Sequence, residues 1–118
     1  MMKSGMTPKQ GDIVLVPFPF SDLSSAKRRP GLVVSNNDYN AKREDIVICG
    51  ITSNLENQEY SVIITERDIT SGNILATSRI KADKLFTIKK SKVIKTLATV
   101  SDRALNDIKD QMMLLFRF

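Results

Sequence analysis

The chain has 118 residues, the size of a single domain, and no apolar run approaches the ~20 residues that cross a bilayer. It has no histidine and one cysteine, Cys49, which excludes an intramolecular disulfide, a cysteine-rich metal site and the commonest general acid–base group. Any catalysis must therefore rest on Arg, Lys, Asp, Glu, Ser, Thr or Tyr. The first residues, Met1 to Gly5, carry a charge but no apolar stretch of the kind found in a secretory leader, so a cytoplasmic address is expected.

Residues 1–10 read as a flexible N-terminal arm, and residues 11–118 as one domain. Gly11-Asp12 is a turn signal that opens Ile13-Val14-Leu15-Val16, a short β-branched run. Pro17 and Pro19 should end regular pairing, with Phe18 and Phe20 alternating between them. Ser21 to Arg29 is polar and reads as a connecting loop. Pro30-Gly31 punctuates it, and Leu32-Val33-Val34 is a second strand that stops at Ser35-Asn36-Asn37-Asp38. A short helical turn fits the polar stretch Tyr39 to Asp45. Ile46 to Ile51, apolar on both faces, should be an interior strand, with Cys49 as a small buried residue.

Tyr60 to Thr65 predicts a fourth strand. Ile74-Leu75 and then Ser78 to Ala82 predict a fifth, Leu85 to Ile88 a short sixth, and Ser91 to Leu97 a helical turn. From Ser101 the period changes. Ser101 can cap a helix with Asp102 in its first turn, and Leu105, Ile108, Met112 and Leu115 recur at helical spacing as core contacts. Short strands plus one terminal helix point to a mainly β protein with added helices, a small antiparallel barrel ending in a C-terminal α-helix.

The net charge of +5 is unevenly placed. Arg79, Lys81, Lys84, Lys89, Lys90, Lys92 and Lys95 fall in one stretch with a single acid, Asp83, and Lys27-Arg28-Arg29 form a second cluster. Such clusters are either solvated faces or a phosphate-binding surface. Three features carry candidate chemistry. In Lys27-Arg28-Arg29-Pro30-Gly31, an arginine fork matches phosphate oxygens, and Pro30 favours an extended backbone at Arg29. At Thr52-Ser53, two hydroxyls at a strand end can bind a phosphate oxygen or cap a turn. In Lys81-Ala82-Asp83, two charges two residues apart share a face of a strand, where they can stabilise an anion and move a proton, or form an exposed ion pair worth little.

In order, Gly11 to Phe18, Lys27-Arg28-Arg29-Pro30-Gly31-Leu32-Val33-Val34-Ser35, Ile51-Thr52-Ser53 and Lys81-Ala82-Asp83-Lys84-Leu85-Phe86-Thr87-Ile88 resemble the PemK/MazF toxins, over nearly the whole chain from Gly11. That resemblance implies an SH3-like barrel, a fold shared with the gyrase-poisoning CcdB toxins. It implies a homodimer that cuts single-stranded mRNA as a metal-independent, sequence-specific endoribonuclease, with no cofactor. It also implies inhibition by a cognate antitoxin through a disordered acidic segment, with DNA reached only through the antitoxin complex and no membrane association. Matched by position, the resemblance implies that Arg29 stabilises the charged transition state and that Thr52 is an active-site threonine, while Lys81 and Asp83 stand where some members use an arginine and an aspartate as base and acid. Thr77 falls near an RNA-binding position. Lys27, Arg28, Ser53, Arg79 and the loop aromatic Phe20 are expected to help bind RNA. Two departures stand out: Lys81 replaces an arginine, and Ser21-Asp22-Leu23-Ser24-Ser25 lacks the His or Glu that members often carry there. The competing readings are a non-catalytic nucleic-acid or gyrase-binding member of the same fold, and a degenerate member that serves only as the structural or antitoxin-binding half of a dimer.

Overall fold

The computed structural model describes residues 7–17 and 27–118. Phe18, Phe20 and the stretch Ser21 to Ser25 lie outside them. Among the described residues, seven strands form one antiparallel sheet: β1 (Asp12–Pro17), β2 (Arg28–Val33), β3 (Asp45–Thr52), β4 (Ser61–Ile64), β5 (Ile69–Gly72), β6 (Ser78–Lys89) and β7 (Lys95–Val100). Two helices, α1 (Asn37–Lys42) and α2 (Asp102–Leu115), complete the elements, with 3-10 turns at Glu66–Asp68 and Lys90–Lys92. The spatial order β4-β6-β3-β2-β1-β7-β5 leaves β4 and β5 at the edges of a curled half-barrel, and α2 packs against β4 and β6. The mainly β expectation with a terminal helix holds.

Alternation along the central strands explains the curl, because both faces are buried. Ile13, Leu32, Cys49 and Ile80 face one core, which α2 covers with Ala104 and Ile108. Their neighbours Val14, Val16, Val33, Ile46 and Ile48 face a second core closed by Val93, Phe86 and Ile88. Period-two patterning with apolar residues at both phases has this outcome. It also places β3 in the interior, between β6 and β2, as its composition predicts. Ser101 caps α2 through its hydroxyl, which accepts from the Ala104 amide at 3.2 Å.

Several elements differ from expectation for physical reasons. The expected loop does not run to Arg29: the strand begins at Arg28, and Arg29 and Pro30 pair with Val16 and Leu15. Pro17 still pairs, with Arg28, as the last residue of β1. Residues 7–10 are tied down rather than loose. Pro8 is buried, and Gln10 donates from its backbone to Asn37 Oδ1 at 2.8 Å and from Nε2 to the Val34 carbonyl at 2.8 Å. The polar run Ser35 to Asp38 does end β2, but Asn36 also caps α1, its side chain accepting from the Tyr39 amide at 2.8 Å. The segment from Ser91 to Leu97 is not a helical turn; it holds the end of a 3-10 turn and the start of β7, which pairs with β1 and β5. Ile74 and Leu75 belong to no strand, and the two strands expected from Ser78 to Ile88 are one.

Candidate active site

The ladder between β3 and β6 is interrupted. It runs from Asp45 opposite Lys89 to Cys49 opposite Leu85, then resumes with Ile51 opposite Ile80. The residues from Lys81 to Lys84 therefore bulge out opposite Gly50 alone. Bulges of this kind re-aim side chains beside functional sites. On its other side Gly50 is the partner of Gly31, so neither strand brings a side chain to that crossing. Close packing supports the same point: a Cβ on Gly31 would lie 2.9 Å from Ile48 Cδ1.

The result is a cavity of about 470 Å³ whose lining includes Arg29, Thr52, Lys81 and Asp83. Four residues from three strands, singled out in three separate motifs, thus line one cavity. Arg29 reaches it from the part of β2 that precedes the pairing with β3, which starts at Gly31. Its side chain is exposed, as Pro30 and the extended backbone favour. Thr52, the last residue of β3, is half-buried, and its hydroxyl oxygen accepts from the Asn54 amide at 3.1 Å. That bond uses one lone pair and leaves the hydroxyl proton to donate outward. Lys81 and Asp83 form no ion pair with each other; the ion pair present among the described residues joins Lys42 and Asp38 on α1.

Lys84 also lines the cavity, with Leu85 and Phe86 as its apolar side. The sequence places Lys84 in a basic stretch and in the family-like run after Lys81-Ala82-Asp83 but gives it no role of its own; that adjacency was the available signal. Three cations and one carboxylate around a partly apolar hollow favour an anion. Cys49 stands next to this site but takes no part. It is buried, and desolvation pushes its thiol up to about 12, so it is not a thiolate nucleophile.

The other expected RNA contacts are distributed differently. Lys27 and Arg28 are exposed at the start of β2, outside the cavity lining, as is Ser53 just after Thr52. Thr77 is exposed and borders a separate depression with Thr65, Arg67 and Leu75. Arg79 requires a correction. It is only 5% exposed, with Nη1 donating to Ser61 Oγ at 2.8 Å, so its guanidinium is not presented at the surface. The chain of residues 53–60 passes over it and supplies the Leu55 carbonyl as a second acceptor. Phe20 lies outside the described residues.

The family model described as PemK-like, MazF-like toxin of type II toxin-antitoxin system matches residues 9–116. The chain belongs to that family. Among curated proteins none matches it. Solved structures that resemble this PemK/MazF-family chain include MazF from Deinococcus radiodurans, at 21% identity over 95% of this chain and 98% of that one, with a TM-score of 0.75. An endoribonuclease from Mycobacterial species is similar at 23% identity, covering 92% and 89% with a TM-score of 0.72. So is an endoribonuclease from Mycobacterial species solved in complex with its cognate antitoxin, at 20% identity, 94% and 98% coverage and a TM-score of 0.72. At these identities the structural likeness shows the fold. No helix among the described residues is long and apolar enough to cross a membrane.

Proposed function

We propose that this PemK/MazF-family chain is an endoribonuclease toxin that cuts single-stranded mRNA without a metal ion, and that a cognate antitoxin neutralises it. The observation that carries this reading is the convergence of Arg29, Thr52, Lys81 and Asp83 on one cavity, with Lys84 adding a third cation.

The substrate's own 2′-OH attacks the adjacent phosphorus, and the 5′-oxygen of the next nucleotide leaves. The products are a 2′,3′-cyclic phosphate and a 5′-OH. Arg29 holds the phosphorane oxygens as charge builds on them, a role whose loss typically costs about 10²–10³ in rate. Thr52 donates its hydroxyl to a phosphate oxygen. Asp83 and Lys81 serve proton transfer, worth roughly 10²–10⁴ when well placed. Leu85 and Phe86 keep the hollow partly dry, which strengthens each charge interaction inside it.

The exposed cations Lys27 and Arg28 attract the RNA backbone as it approaches. Homodimerisation and capture by an acidic antitoxin segment belong to the same reading. It is tested by incubating the purified chain with a long mixed-sequence RNA and mapping the cut sites and their end groups. Recurrent cuts with 2′,3′-cyclic phosphate ends support it. Growth arrest on expression with no RNA cut would return the gyrase-binding alternative.

A further inference from the structure

Arg79 is a charge in an unexpected place. Among the described residues its side chain is buried with no carboxylate partner, and its Nε has no hydrogen-bond partner. Burying a guanidinium on these terms is unfavourable. An apolar side chain of similar length would fill the slot without that penalty. What the guanidinium alone supplies is two donors aimed at two separate points: the Leu55 carbonyl, 3.4 Å from Nη2, and Ser61 Oγ, 2.8 Å from Nη1. These lie near the two ends of the segment that joins β3 to β4.

That segment is anchored to the cavity at both ends. At its start, the Asn54 amide donates to the Thr52 hydroxyl at 3.1 Å. At its end, the Tyr60 carbonyl accepts from the Ala82 amide at 2.8 Å, and Ala82 sits between Lys81 and Asp83 in the β6 bulge. Tyr60 has φ 57, a left-handed conformation that a tyrosine holds only when its surroundings impose it. Arg79 itself is the register partner of Thr52 across the β3–β6 ladder. Its two guanidinium bonds, to Leu55 and to Ser61, each fall one residue beyond an attachment point.

We infer that Arg79 is a positioning residue: it clamps residues 53–60 onto β6 and so sets Thr52 and the Lys81–Asp83 bulge relative to one another, without touching RNA. Its activity readout rests on the endoribonuclease reading above; its structural readout does not. The test uses the full chain as Arg79→Met, Ser61→Ala and the double variant. Amide hydrogen exchange is followed in residues 53–60 and 81–84, together with kcat and KM on a long RNA. Binding of an uncleavable 2′-O-methyl single-stranded RNA is measured as a function of salt.

For Arg79→Met, exchange in both segments rises at least tenfold and kcat falls about 10- to 100-fold, while KM changes by less than about threefold. The Ser61 hydroxyl accepts from Arg79 and donates to the Gln58 carbonyl, relaying the clamp into the segment. Ser61→Ala therefore moves the same readouts in the same direction, and the double variant exceeds the larger single effect but falls short of the sum of the two, because the changes share one bond. The slope of log Kd against log salt stays at the parental value. A slope reduced by about 0.7 would reveal a direct phosphate contact and overturn the inference. So would unchanged exchange, or faster exchange with parental kcat. If Arg79→Met does not fold, Ser61→Ala decides by the same criteria. If the parental chain cuts no RNA, the proposed function fails, and the exchange arm still upholds or rejects the clamp.

Discussion

Replacing Arg29 with alanine separates chemistry from folding more cleanly than any other change in the cavity. Arg29 contributes its backbone to the ladder opposite Val16, and alanine keeps that pairing. Its side chain is exposed and makes no hydrogen bond or ion pair among the described residues, so its removal should change stability by no more than about 0.5 kcal/mol. A chain of 118 residues unfolds with an entropy near 0.25 kcal/mol/K, which converts that limit to a Tm shift of about 2 °C. The activation barrier, by contrast, should rise by about 2.7–4 kcal/mol, the loss of one preorganised contact to the developing oxyanion, or 10²–10³ in kcat. Arg29→Lys keeps the charge but loses the bidentate fork and should fall between the two. The assay is single-turnover cleavage of a defined RNA, with thermal unfolding on the same samples. A folded Arg29→Ala variant that cuts at the parental rate would refute the mechanism. A fall in Tm beyond about 8 °C would show Arg29 to be a structural residue instead.

Three further outcomes are expected. The Cys49 thiol, raised to about 12 in the folded chain against 9.0 in the open one, keeps its proton between those pH values while the unfolded thiol loses it. The folded state then binds more protons, so stability is full below pH 9 and falls as pH rises toward 12, at up to about 1.4 kcal/mol per pH unit; Cys49→Ala should flatten this slope in alkaline denaturation series. Gly72 has φ 76, and a Cβ there would meet the Leu97 carbonyl oxygen at 2.2 Å, so Gly72→Ala should destabilise by roughly 2 kcal/mol or more and lower Tm by about 8 °C. RNA cleavage should continue at the parental rate in excess EDTA, and a chelator-sensitive rate would reject the metal-free scheme.

The strands read most directly from the sequence are those whose burial is decided locally. β1 and β3 are β-branched runs bounded by turn residues, and α2 announces itself by Ser101 and the spacing of Leu105, Ile108 and Met112. β7 gives no such signal. Lys95-Thr96-Leu97-Ala98-Thr99-Val100 is half polar, and it is a strand because β1, more than 80 residues earlier, pairs with it. β5 is four largely exposed residues held by β7. β6 looked like two strands because the bulge from Lys81 to Lys84 breaks the alternation just where the site is built. Arg29, Thr52, Lys81 and Asp83 could be named from motif and resemblance. Arg79 was misplaced because an arginine in a basic stretch is normally solvated. Its burial depends on where residues 53–60 settle, and no local pattern encodes that.

The interruption opposite Gly50 has a consequence for how such a chain can change over evolutionary time. On either side of it the ladder is in register, Ser78 to Lys81 pairing with β4 and Leu85 to Lys89 with β3. The intervening stretch is a cassette: most of its side chains answer to the hollow rather than to either core, Ala82 being the buried exception. A descendant could exchange Lys81 for arginine, move the acid or alter Lys84 while the flanking pairs hold the architecture constant. Substrate preference and turnover can then diverge under selection without a matching drift in foldability.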